Sequence, residues 1–193
     1  MLNKHAKDIA NFLRAGDYQE TDSGLLIHGA IMACGEYFES VNGQDERRSK
    51  NLVPTEGITH ILNVALGASS KSAAFYLAPF AGAVTPAANW TAANFAATAS
   101  EIVSQTEGFA GTSRLLWTPS AAAAGSIDNL SAKASFNILT ASSLNINGAA
   151  LLTDQARGAT TGALISATKF AATRVVYNGD VWDCGYRLTL TDS

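Results

Sequence analysis

The side chains of this sequence that acid–base or metal chemistry would recruit are three histidines, two cysteines and a pair of aspartates. His5, His28 and His60 all lie in the first third of the chain, and His28, which follows an apolar triplet, has no carboxylate or Cys at ligand spacing. His60 falls off the apolar stripe of its segment and reads as an exposed or edge histidine. Cys34 and Cys184 stand 150 positions apart, outside any metal or redox spacing, and read as structural thiols buried singly. Asp180 and Asp183 flank Trp182, but Asn178-Gly179-Asp180 is a turn entering a strand, which explains Asp180 without catalysis. No G-x-S-x-G, phosphate-binding loop, dinucleotide fingerprint or H-E-x-x-H is present, and Asp17 and Asp22 are too sparse for a calcium loop. The expectation is a protein with no enzymatic activity, no cofactor and no metal.

Charge distribution points the same way. Asp, Glu, Lys and Arg make up 14 of the first 50 residues but only 15 of the remaining 143, so three quarters of the chain offers few nucleophiles, bases or ligands. A net charge of -3 gives no electrostatic footprint for nucleic acid. The one basic cluster, Arg47-Arg48-Ser49-Lys50, directly follows Asp45-Glu46 and reads as a solvated loop. No apolar run of about 18 residues is present, and the N-terminus lacks the apolar core of a signal peptide, so a soluble protein made in the cytoplasm and no membrane partner are expected. The charged fraction of 15% is well below the usual ~25%. So weakly charged a surface suits a protein packed against others.

Periodicity places the elements. Residues 2–15, with Leu2, Ala6, Ile9, Ala10, Phe12 and Leu13 at helical spacing, predict a short amphipathic helix ending at Gly16. Leu25 to Ile27, Ala30 to Ala33 and Tyr37-Phe38 form a mixed apolar region, strand or extended arm, and Asn42-Gly43 turns into the charged loop. Pro54 and Thr55 start a helix whose stripe is Ile58, Ile61, Leu62, Ala65 and Leu66, closed by Gly67. Short runs rich in aromatic and β-branched residues follow: 73–80, 113–118, 134–139, 144–152, 162–170, 174–177 and 181–190, separated by turn signals. Along the last run Tyr186, Leu188 and Leu190 alternate with Arg187, Thr189 and Thr191. Residues 86–111, with Trp90 and Phe95, read as a long uncharged loop packed against something.

The predicted fold is mainly β: an antiparallel β-sandwich, immunoglobulin-like or jelly-roll-like, with one packed helix and an extended, partly helical N-terminal arm. The expected division is an arm over 1–54 and a β-sandwich domain over 55–193.

The run Asn51-Leu52-Val53-Pro54-Thr55-Glu56-Gly57-Ile58-Thr59-His60-Ile61-Leu62, followed by Phe75-Tyr76-Leu77-Ala78, resembles a group of small virion-associated proteins of tailed bacteriophages. Further similarity lies in Trp90-Thr91-Ala92-Ala93-Asn94-Phe95, in Thr106-Glu107-Gly108-Phe109 before Arg114 and Trp117-Thr118-Pro119, and in Gly148 to Leu152 leading to Gly158 to Gly162. It spans roughly residues 17–190. The resemblance implies a virion structural protein with no catalytic residues to carry over. The reading it favours is a head decoration, or cement, protein on the capsid surface, binding the major capsid protein and neighbouring copies of itself as dimer or trimer. A tail or head-fibre component is the alternative, and a carbohydrate-binding β module using Trp182 the third. The candidate contact residues are Phe12, Tyr18, Tyr37, Phe38 and Trp90, each of which has a competing place in a local core.

Overall fold

A computed structural model describes residues 18–21, 24–27 and 31–192. The predicted helix over 2–15, with Phe12, lies outside the described residues. The chain divides into two units, Met1–Ala33 with Leu190–Ser193, and Cys34–Thr189. In the first, β1 (Tyr18–Thr21) and β2 (Gly24–Ile27) form an antiparallel two-stranded ribbon.

The second unit carries two antiparallel sheets. One is four-stranded, in the order β11 (Leu164–Tyr177), β10 (Ser143–Leu152), β5 (Phe75–Phe80) and β7 (Leu115–Trp117). The other runs β4 (Gln44–Lys50), β3 (Ile31–Val41), β12 (Val181–Asp192), β9 (Ala134–Leu139) and β6 (Gly108–Phe109), with β8 (Ser126–Asp128) also pairing to β12. Strict alternation sets the inner face of the larger sheet: Phe136 and Ile138 on β9, and Trp182, Cys184 and Tyr186 on β12, are buried. They meet Leu77, Ile146, Leu151, Ile165 and Val176 of the smaller sheet in one core cluster. The sandwich is therefore formed, and mainly β architecture with antiparallel pairing is what the strand pattern predicts.

Residues 34–54 do not belong to an arm. From Cys34 onward β3 is part of the compact unit, and the Asp45–Lys50 run is a strand, not a solvated loop. Asn42 (φ 53°) and Gly43 (φ 71°) form the two-residue left-handed turn that joins β3 to β4 and matches strand twist. The Asn42 side chain then clamps the Asn178–Asp180 turn: its Nδ2 donates to Asp180 Oδ1 at 2.9 Å, and Val181 N donates to its Oδ1 at 2.9 Å. β4 is the edge of its sheet, and its run of charged side chains protects that edge from adventitious pairing.

Among the described residues two α-helices are present, where one packed helix was expected beside the one predicted over 2–15. α1 (Thr55–Ala65) follows the sequence reading, while α2 (Ala92–Ala99) occupies the middle of the predicted long loop. α2 starts where Thr91 N donates to Asn94 Oδ1 at 2.9 Å and ends at Ser100, whose φ of 54° breaks the helix. Trp90, Ala92, Phe95 and Ala99 cover the second face of the four-stranded sheet, packing on Ala78, Phe80, Ala150, Leu152, Leu164 and Ala167. With both faces covered, the second half of β10 reads as an unbroken apolar run. The predicted break between residues 170 and 174 is a register shift within one long strand: Gly148 pairs with Lys169, and Ile146 with Arg174.

Candidate interaction surface

The sequence-predicted contact residues turn inward wherever their side chains are described. Tyr37 lies in the inter-sheet core, its ring 4.7 Å from that of Tyr186 and its hydroxyl 2.6 Å from Ser166 Oγ. Burial raises the pKa of both phenols, that of Tyr186 to about 12, so they act as neutral hydrogen-bonding groups. Phe38 is buried between two guanidinium groups, with Arg48 and Arg187 5.0 and 5.3 Å from its ring centre. Trp90 is buried in the cluster under α2. These three are core side chains and present no surface to a partner; the structure does not bring them together. Tyr18 sits on β1, and its side chain, like all of Phe12, is outside the described residues.

Several charged side chains are spent inside the fold. Arg114 grips Glu101 through two 2.8 Å hydrogen bonds, both side chains fully buried, and its Nη1 donates to Asp154 O at 2.9 Å. Gly158 N adds a 3.0 Å bond to the same carboxylate. Across the sandwich, Arg174 of β11 makes two bonds of 2.8 and 2.7 Å to Glu39 of β3, while Trp182 Nε1 donates to Glu39 at 3.0 Å. The Arg174 hydrogen bond also holds the Asp45 carboxyl below its usual range. Arg157 stacks 3.5 Å from the Phe109 ring centre and donates to the carbonyls of Ser104, Phe109, Ala110 and Ser113. Each of these groups is held by structure and aimed at no open site. Trp182, the platform a sugar would need, is fully buried, which removes the basis for the carbohydrate-binding reading.

Cys184 is buried, and burial pushes its thiol well up, whereas Cys34 is exposed, contrary to the expectation of two buried thiols. Among the described residues no group of three His, Cys, Asp or Glu side chains could hold a metal, and no helix is long and apolar enough to cross a membrane.

What is exposed is the outer face of α1. Of the predicted stripe, Ile61 and its neighbour Val64 are half-buried, while Ile58, Leu62 and Leu66 are 48%, 53% and 86% exposed at successive helical turns. Gly57 causes this placement. It approaches β11 so closely that a Cβ there would meet Ile165 O at 2.3 Å, and the helix docks on that glycine, not on its apolar stripe. Glu56 fixes the orientation, its Oε2 accepting from Ala92 N at 2.7 Å and Leu164 N at 2.6 Å. No Asp, Glu, Lys or Arg occurs from 57 to 70, so the segment itself sets no charge beside the three apolar side chains. The signal for this surface was present in the sequence as the stripe itself; its outward direction was not. Compared with protein-family models, curated proteins and solved structures, the chain gives no match.

Proposed function

We propose that the protein is a structural component of a tailed-bacteriophage virion, a decoration protein that attaches to the capsid lattice formed by the major capsid protein. The observation that carries this reading is the uncharged face of α1, an apolar stripe left facing solvent on a body whose buried charges are already satisfied. Scattered exposed apolar residues need no partner, but Ile58 and Leu62 on α1, continued by Leu66 at its C-terminal cap, form an anchor for one. The resemblance in sequence runs through this same helix. A rigid sandwich with an uncharged contact face suits repeated attachment, because many weak contacts on a symmetric lattice add through avidity. The unit containing residues 1–33 supplies a second contact, to neighbouring lattice subunits or to another copy.

Exchanging Ile58 and Leu62 together for glutamate tests the contact face. Co-sedimentation with purified particles should weaken by about tenfold or more, equivalent to about 1.4 kcal/mol, while the unfolding midpoint stays near that of the parent protein, both sites being exposed. Undiminished sedimentation of the variant would exclude α1 as the attachment face.

A further inference from the structure

Beneath α1 lies a cavity of about 230 Å³ that neither the proposed attachment nor the core packing uses. α1 is held at its first turn by Gly57 and Glu56, and in its second half Ile61 and Val64, both half-buried, line the gap. Phe75, Trp117, Leu151 and Leu188 form the opposing wall. Phe75 and Trp117 meet edge to face at 6.0 Å, so much of that wall is aromatic. The polar side chains on the lining are few. The Tyr186 hydroxyl is taken by Asn51 at 3.1 Å, and His60 Nε2 lies 3.3 Å from Ser72 Oγ. That leaves Lys71, exposed to solvent and without an ion-pair partner among the described residues.

We propose that this cavity binds a small amphiphile, a monocarboxylate whose apolar body fills the space under α1 and whose headgroup meets Lys71. The volume of about 230 Å³ equals about eight water-sized units at roughly 30 Å³ each, room for a short hydrocarbon body. An apolar cavity offers water too few hydrogen-bond partners, whereas a hydrocarbon chain restores the dispersion contacts that the lining atoms lack. The single uncompensated ammonium then selects a carboxylate over a neutral or cationic head. This site is separate from the outward face of α1 and does not depend on the virion assignment.

Trp117 provides a built-in reporter, because it lines the cavity while Trp90 and Trp182 sit in other parts of the core. Titrating the full chain with ω-bromooctanoate should quench part of the tryptophan emission saturably, and Trp117→Phe should abolish the saturable component. Val64→Phe, which fills the cavity, should remove binding without lowering the unfolding midpoint. Lys71→Glu, a surface change that leaves the walls intact, should weaken the carboxylate by about fivefold and leave ω-bromooctanol unaffected. Quenching that rises linearly with probe, or that persists unchanged in Val64→Phe, would overturn the site. Equal binding of acid and alcohol to the parent protein would overturn the carboxylate assignment.

Discussion

Replacing Arg114 with methionine lowers the free energy of unfolding by about 3–5 kcal/mol, the cost of leaving a buried carboxylate without its counter-charge. Glu101 would keep only the Gly158 N–H, and Asp154 O would lose its donor. The loss is large because three separate chain segments, around residue 101, residue 114 and residues 154–158, meet at this one ion pair. Denaturant unfolding of the single variants and of Arg114→Met/Glu101→Leu separates the two contributions. The double variant, with no charge left to strand, should recover most of the stability lost in Arg114→Met. A single variant within about 1 kcal/mol of the parent would mean that water reaches the pair, contrary to its burial.

Phe95→Ala is expected to cost about 3–5 kcal/mol, the range for deleting a fully buried phenyl ring. Phe95 is the centre of the layer that covers the second sheet face, 6.1 Å from Phe80 at a near-perpendicular angle and 6.4 Å from Trp90. The Arg114 guanidinium lies 6.0 Å from its ring centre, so the two substitutions should prove non-additive. The core cluster between the two sheets contains neither Phe95 nor Trp90. Hydrogen exchange should therefore show protection lost first across Ala92–Ala99, with β9 and β12 still protected. Loss of protection at equal rates throughout would contradict the description of α2 as a separate covering layer.

Much of the sandwich was legible because its strands obey simple rules. β9 buries every second residue and was placed to the residue at both ends, and Asn42-Gly43 specified its turn through the left-handed backbone both residues tolerate. α2 escaped notice because Ala-Ala-Asn-Phe-Ala-Ala-Thr-Ala has no charged face to contrast with its buried one; the Thr91–Asn94 pair was the available signal. β4 reads as a loop because its charges resemble solvated sequence, yet charge on an edge strand is a protective device.

Long-range chemistry was not legible at all. Arg174 and Glu39 are 135 positions apart, and no local pattern marks them as partners. The aromatic residues chosen as contacts were the right types for an interface but equally suited to a core, and the core claimed Tyr37, Phe38 and Trp90. The direction of the α1 stripe turned on Gly57, where the absence of a side chain lets the helix rest on β11 and leaves Ile58, Leu62 and Leu66 facing solvent.

The measurement that bears most directly on the proposed function is the copy number of this protein in purified particles, counted by quantitative mass spectrometry against the major capsid protein. A lattice-covering decoration protein predicts a fixed ratio to the capsid protein, with copies in the hundreds, on the order set by repeated attachment to a symmetric shell. About a dozen copies would move the protein to a tail or vertex fibre, and absence from particles would contradict the structural assignment altogether.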